Sequence, residues 1–279
     1  MTATALYVPT YATRSPYITV SEYKSAPTGV NVDQLSPRSD VQVQNDMLSV
    51  LIDRASSYAD EICQQVLSAT VDTQVGTYFV RAGVVKIPVD YTPLIQVNSL
   101  LVGSDASHLS TVTDLSNAWL QRKTVEIPVT GWFRSNRVKA ALTYVSGFAN
   151  TVTTVAQAVG DSTLTVASPV GIVSGLTLAL FDAGNSEPVT VLSVSGNVVT
   201  LAAPLTKAHT FGVSLSALPA AIKQAVVFLT SALIKSRGSE AHVMASISAG
   251  PSRKSEIQDG GFEEIDLAFE LLKPHRRSA

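Results

Sequence analysis

Charge is scarce in this chain: Asp, Glu, Lys and Arg make up 15% of its 279 residues, against roughly 25% in an average soluble protein. Surface charge keeps proteins soluble and apart, so a chain this poor in it is suited to having much of its surface covered by neighbours. What charge there is nearly cancels, with 20 Lys and Arg against 22 Asp and Glu, a formal net charge of −2 and a pI near 6.1. A nucleic-acid grip needs a basic stripe that neutralises phosphates, and the only basic run is the short end His275-Arg276-Arg277. Cysteine is almost absent. The single one, Cys63, excludes a disulfide within the chain and, lying in a helical pattern, reads as a small buried apolar residue. No uninterrupted apolar run reaches the roughly 20 residues of a membrane helix, because Lys223 and Gln224 break the best candidate. The beginning of the chain lacks a basic, apolar, small-residue signal pattern, so it is expected to be made and used without secretion. Aromatics are few and dispersed; Trp119, Trp132 and Phe133 sit near strand ends and read as core or interface anchors rather than platforms for bases.

The signatures of catalysis are missing too. There is no phosphate-cradling Gly-rich loop followed by Lys-Ser or Lys-Thr, and no Gly-x-Ser-x-Gly elbow. The four histidines, His108, His209, His242 and His275, lie far apart, and none stands at metal-ligand spacing from another His or from Cys63. Glu263 and Glu264 are adjacent and point to different helix faces, while Asp266 and Glu270 share a face without a defined partner acid. The expectation is no catalytic residue, no metal and no cofactor: not an enzyme.

Periodicity supplies the positive signals. Residues 1–38 carry Pro9, Pro16, Pro27 and Pro37, which preclude a long helix, and read as an extended arm with a short strand at Tyr17–Val20 and one helical turn at Ser21–Lys24. Ser39 or Asp40 is placed to cap a helix whose Leu48, Leu51, Ile52, Ala55, Ala59, Ile62 and Val66 recur at steps of three and four. On that helix Asp46, Asp53 and Asp60 are seven residues apart and hence share a face. That face is either a solvated one or an acidic wall toward a channel or a basic partner. From Gly76 to Phe148 the pattern turns to strands: a hairpin over 77–89 around Ala82-Gly83, then 95–102, 119–120, 125–129 and 138–144, with a polar loop over 103–117. Residues 150–216 alternate with short Gly-containing turns and carry only Asp161, Asp182, Glu187 and Lys207 as charges, the marks of a small sandwich or barrel. A helix follows Leu218-Pro219 as far as Lys235, and a last one carries Phe262, Ile265, Phe269 and Leu272 before Pro274 stops it.

The fold class expected from this pattern is α+β. Residues 1–38 form the arm, 39–149 with 217–279 a discontinuous core of helices and a small β-sheet, and 150–216 an inserted all-β module, sandwich or barrel-like.

Several segments carry a resemblance. Tyr17-Ile18-Thr19-Val20-Ser21-Glu22-Tyr23, the helix Leu51 to Cys63, the pair Arg81–Ile87 and Pro93–Val97, and Tyr144–Phe148 followed by Leu218–Ala225 come in the order found in head-to-tail connector (adaptor) proteins of long-tailed bacteriophages, which the chain resembles outside 150–216. The Gly-Gly-Phe at 260–262 and the basic end are similar as well. The resemblance implies a helical adaptor core and a structural virion protein at the neck. Such a protein forms a homo-oligomeric ring, commonly of twelve copies, that meets the portal on one side and a tail terminator or neck protein on the other. DNA passes through it without sequence-specific binding, and no membrane is involved. Such a conduit should hold DNA loosely, since each neutralised phosphate adds affinity and drag; Asp46, Asp53 and Asp60, if lumenal, would repel the duplex. Leu271, Leu272, Lys273, Pro274, Arg276 and Arg277 pair apolar residues with cations and are the expected portal-docking tail, the other reading being a frayed terminus. Two alternatives remain: another ring-forming neck or tail component, such as a terminator or completion protein, and a surface module in which 150–216 binds carbohydrate through Phe181, Phe211 and Asp182.

Overall fold

Alternating residues over 70–146 commit this stretch to extended backbone, and the computed structural model shows how far that commitment runs. It describes residues 14–33, 35, 40–121, 123–129, 136–236 and 262–277. By internal contacts the chain divides into two units, one built on Ala69–Phe148 and the other on Pro9–Ser68 with Ala149–Ala279. The expected helical core with a small sheet is corrected here: sheets of seven and six strands dominate, and the chain is mostly β. The sheet reaches seven strands because Leu109–Thr111, inside the expected polar loop, pairs onto one edge, while the expected strand at 119–120 forms the other edge as Trp119–Gln121.

In the first unit the strands are β1 (Thr70–Arg81), β2 (Val84–Pro88), β3 (Leu94–Gly103), β4 (Leu109–Thr111), β5 (Trp119–Gln121), β6 (Thr124–Pro128) and β7 (Arg137–Ser146). They run β4-β3-β7-β1-β2-β6-β5, with every neighbour pair antiparallel. The β1–β2 hairpin turns on Ala82 and Gly83, both at positive φ (50° and 76°), the backbone a two-residue hairpin demands and glycine adopts at no steric cost. Gly103 is needed for a different reason: a Cβ there would lie 1.9 Å from the His108 carbonyl oxygen. On one face of the sheet Val85, Ile87, Val125 and Ile127 join Leu100, Val138, Ala140 and Leu142 in a single buried cluster.

The second unit holds the helices and the six remaining strands. Thr19 and Glu22 form a reciprocal capping box that starts α1 (Val20–Ser25), so Tyr17–Val20 is a helix entry and not the strand its β-branched residues suggest. Asp40 caps α2 (Val41–Cys63) by accepting from Gln42 N at 2.8 Å, and Gln64 in the left-handed region ends it. Pro219 precedes α3 (Ala220–Lys235), and α4 (Phe262–Leu272) runs into a 3₁₀ turn over Lys273–His275. Helix α3 packs against both α2 and α4. Leu48, Ile52, Ala55, Ala59 and Ile62 supply the buried stripe of α2, Ile222, Val226, Leu229 and Leu233 that of α3, and Ile265, Ala268 and Leu272 that of α4. No helix among the described residues is long and apolar enough to cross a membrane.

Strands β8 (Asn150–Val152), β9 (Thr163–Thr165), β10 (Thr177–Phe181), β11 (Glu187–Ser195), β12 (Val198–Leu201) and β13 (Ser214–Ser216) form the second sheet, in the order β8-β13-β10-β11-β12-β9. A bridge between Thr153 and Val166, backed by Ala167 N donating to Val152 O at 2.9 Å, joins its two edges into a closed barrel. Leu164, Leu178, Leu180, Val191, Val199 and Leu215 fill the interior.

Candidate functional site

Segments far apart in sequence meet on the helices of the second unit. Tyr17 is fully buried, and its backbone N–H donates to Ser56 Oγ at 3.1 Å. Its hydroxyl donates to the Asp60 carboxylate and accepts from the backbone N–H of Leu67 at 3.0 Å and Ser68 at 3.2 Å. Arg14 Nε lies 3.2 Å from the other Asp60 oxygen, its Nη2 donates to Ser57 Oγ at 2.6 Å, and its guanidinium lies 4.8 Å from the centre of the Tyr17 ring. Leu67 N also donates to Asp60 Oδ1 at 3.0 Å. Burial is the largest influence on Asp60 and pushes its carboxyl up to about 6, against the opposing pull of Arg14, the Tyr17 hydroxyl and the Leu67 amide. Burial likewise holds the Tyr17 hydroxyl well above its ordinary value and raises Asp53, where Arg14 again opposes.

The heptad spacing of the three aspartates is thus real, but their surroundings differ. Asp46 is exposed and accepts from Gln42 Nε2 at 2.8 Å, Asp53 is half-buried, and Asp60 is tied inward to Arg14 and Tyr17. The acidic face is open only toward the start of α2, because residues 14–17 lie across its other end.

The C-terminal segment closes on the same helix end. Leu272 is fully buried and its carbonyl accepts from Cys63 Sγ at 3.8 Å. Gln65 Nε2 donates to His275 O at 2.7 Å, and Arg277 N donates to Cys63 O at 2.8 Å. Burial, reinforced by the Asp60 charge and opposed by Arg276, pushes the Cys63 thiol up to about 12, which leaves it protonated and inert. Of the expected docking residues, Lys273, Pro274, Arg276 and Arg277 are exposed, Leu271 is half-buried and Leu272 is the anchor that holds the segment down.

The start of α3 is fixed to the arm. Lys223 Nζ donates to Glu22 Oε1 at 2.5 Å, the other Glu22 oxygen accepts from Thr19 N at 2.7 Å, and the Tyr23 hydroxyl lies 2.9 Å from Ser231 Oγ. Glu22 is 7% exposed, so this is a buried pair with its remaining valence satisfied by the cap. On α4, Glu264 bonds Lys235, while Glu263, Asp266 and Glu270 are exposed.

A second polar cluster lies in the barrel and has no counterpart in the sequence reading. Glu187 accepts at one oxygen from Thr206 N (3.0 Å) and Thr206 Oγ1 (2.6 Å), and at the other from Lys207 N (3.0 Å) and His209 Nε2 (2.8 Å). Burial acts to raise this carboxyl, but the hydrogen bonds from Thr206, His209 and Lys207 together outweigh it and hold Glu187 at about 2. The His209 side chain is wholly buried, its other nitrogen 3.5 Å from Asp182. Only the alternation of β11 marks Glu187 in the sequence; nothing there announces a partner 22 residues away.

Among the other candidates, His108 is exposed, and its hydrogen bond is the main cause holding Asp105 below the usual carboxylate range. Phe211 is 73% exposed and Phe181 half-buried. Trp119 is exposed on edge strand β5, whereas Trp132, Phe133, His242 and Gly260-Gly261 lie outside the described residues. Among the described residues no group of three or more His, Cys, Asp or Glu side chains is placed to hold a metal ion.

No family model matches the chain, and no curated protein matches it. Among solved structures, the neck of an empty GTA particle computed with C6 symmetry aligns over 94% of this chain and 94% of that one, at 11% identity and a TM-score of 0.38. A likeness at that level carries no argument about this chain.

Proposed function

We propose that this chain is a structural protein of a phage-type neck: a head-to-tail adaptor that forms a ring between portal and tail and extends the DNA channel, transforming no molecule. One observation supports this reading above others. Of the segments that carry the resemblance to adaptors, the arm at 17–23, the helix 51–63, the segment 218–225 and the C-terminal end converge in one unit through Tyr17 to Asp60, Glu22 to Lys223, and Arg277 to Cys63, while Arg81–Ile87, Pro93–Val97 and Tyr144–Phe148 belong to the other unit. Motifs that serve one architecture are expected to meet in space. The low charge and the exposed Val41, Val75, Phe79, Trp119 and Phe211 fit a subunit whose surface is completed by neighbours. The resemblance puts twelve copies around the channel, a number that end-on imaging with symmetry left free will count.

The exposed cations Lys273, Arg276 and Arg277 are the proposed portal contact. Reversing all three to Glu is expected to weaken attachment to the portal by ~10-fold or more, with unchanged circular dichroism. Truncation after Leu272 should weaken it at least as much, but also removes the bonds to Gln65 and Cys63, so the reversal is the cleaner variant. Native-like attachment in the reversal variant would move the docking surface elsewhere, and a portal that binds neither form would sink the adaptor reading.

A further inference from the structure

Strand β1 has 12 residues, and only one of its flanks is paired along its length. On that flank β7 is in register with every residue from Thr70 to Phe79. On the other flank β2 is in register with Val80 and Arg81 alone. Strand β2 ends at Pro88, which has no N–H for a ladder, and the Pro88 carbonyl accepts from Gln74 Nε2 at 2.8 Å. Antiparallel strands bond through alternate residues, and Val80 N donates to Asn136 O on the β7 side at 2.8 Å. Even-numbered residues of β1 therefore bond to β7, and the odd ones turn their N–H and C=O to the other flank. Over Val71, Thr73 and Val75 that flank holds no strand among the described residues.

The side chains of the same three residues are exposed, Val71 at 51% and Val75 at 67%, and the Thr73 hydroxyl is already bonded to that of Thr143 at 3.0 Å. The residues between them are tied inward: Asp72 accepts from Ser146 Oγ at 2.6 Å, and Gln74 donates to the Tyr78 hydroxyl at 2.9 Å. Edges that stay unpaired are blunted by Lys, Pro or a bulge. This stretch has no Lys and no Pro, and its register with β7 is unbroken. The sequence Val71-Asp72-Thr73-Gln74-Val75 is also its own complement about Thr73. In an antiparallel pair centred there, Val71 of each copy faces Val75 of the other and the two Thr73 residues face each other. Every one of these pairs is of the kind that exchanges both N–H···O bonds, so donors meet acceptors throughout. The outward residues are uncharged, and nothing repels.

We propose that β1 of a second copy of the chain adds antiparallel to this edge, centred on Thr73, and joins the two seven-stranded sheets into one. Main-chain bonds supply the attraction, and the paired valines are covered on the outward face. The contact is two-fold, whereas a ring sets one surface against a different one, so this is a dimer of the free subunit and does not rest on the adaptor reading. Five residues a side make a small interface, which places the dimer in the weak, exchanging class.

The test uses the full-length chain. Thr73→Cys puts a thiol of each copy on the two-fold axis, in a pair whose Cα atoms stand about 5.5 Å apart, within disulfide reach. Under mild oxidation Thr73→Cys is expected to give a covalent dimer. Val71→Cys alone is not, whereas Val71→Cys mixed with Val75→Cys is; the buried Cys63 takes no part. Val71→Lys/Val75→Lys sets like charges opposite one another and should weaken self-association in sedimentation velocity by ~100-fold, with unchanged circular dichroism. Mixing it with Val71→Glu/Val75→Glu should restore the dimer. Hydrogen exchange at the amides of Val71, Thr73 and Val75 should be faster in the Lys variant, with those of Asp72 and Gln74, bonded to β7, unchanged. Cross-linking by Val71→Cys alone as readily as by Thr73→Cys overturns the proposal, and so does native-like association of the Lys variant. A native chain with neither a cross-link nor concentration-dependent sedimentation overturns it too. Protection of the three odd amides that appears only when a portal or tail protein is added gives the edge to a strand of another protein and also overturns the pair, while leaving the neck reading in place. A Thr73-centred dimer with no binding to a portal leaves this contact standing and removes the neck reading.

Discussion

Replacing Asp60 by Ala is expected to destabilise the helical unit by about 3 kcal/mol or more at neutral pH, because it strands a buried partner on each side. Arg14, 8% exposed in its side chain, loses the carboxylate that faces its Nε, and the Tyr17 hydroxyl and Leu67 amide lose their shared acceptor. Removing both charges together, as in Arg14→Leu/Asp60→Asn, should cost less than Asp60→Ala, since no buried charge is left alone. The pH dependence carries its own sign. The folded carboxyl, at about 6, lies above its ordinary 3.8, so the folded form binds the proton more tightly. The resulting stabilisation is fully present below about pH 4 and is lost as pH rises through 6, some 3 kcal/mol across the window. Asp60→Asn cannot titrate, so its deficit relative to the native chain should widen as pH falls from about 6 to about 4. Urea unfolding at several pH values measures both effects. A deficit under ~1 kcal/mol that does not change with pH would show that Asp60 is solvated and available as a channel-facing charge after all, and one that narrows on acidification would show that Arg14 and the hydrogen bonds outweigh burial.

That outcome also bears on what a sequence can disclose. Heptad spacing put Asp46, Asp53 and Asp60 on one face of α2, and they are on one face; spacing cannot say what covers it, and residues 14–17 cover one end. The stripe of α2, its Asp40 cap, the Ala82-Gly83 turn and the helix after Pro219 were all legible because each depends on neighbours within a few residues. The size of the first sheet was not. A strand of three residues such as β4, set in a polar stretch, is too short to alternate and exists only because a longer partner holds it. The barrel's closing strands β8 and β13 escaped notice for the same reason. At Tyr17–Val20 the signal was present and outweighed: Thr19 with Glu22 three residues on is a capping box, and two satisfied amides at a helix start win over the β preference of Ile18 and Val20.

The Glu187 cluster lay beyond local reading altogether, and it supports the other large prediction. Glu187→Ala takes the acceptor from four donors: the amide and hydroxyl of Thr206, the amide of Lys207 and the Nε2 of His209. Bonds to a charged acceptor contribute more than neutral ones, but Thr206 is exposed and its donors turn to water, so the desolvation cost falls on the buried His209 and a loss of about 2 kcal/mol is expected. Glu187→Gln should recover little of it, because an amide offers an NH₂ group to donors that need an acceptor. Here the pH sign is opposite to that at Asp60. The folded carboxyl lies near 2, below its ordinary 4.5, so its contribution is present above pH 4.5 and is lost as pH falls toward 2. Glu187→Ala should flatten that part of the acid limb. Hydrogen exchange localises the effect: amides of β10, β11 and β13 should lose protection while those of β1 and β7 keep theirs, since the two groups of strands belong to different units. Equal loss in both would mean that the barrel and the seven-stranded sheet unfold as one cooperative body, and the clamp would then be a determinant of the whole chain.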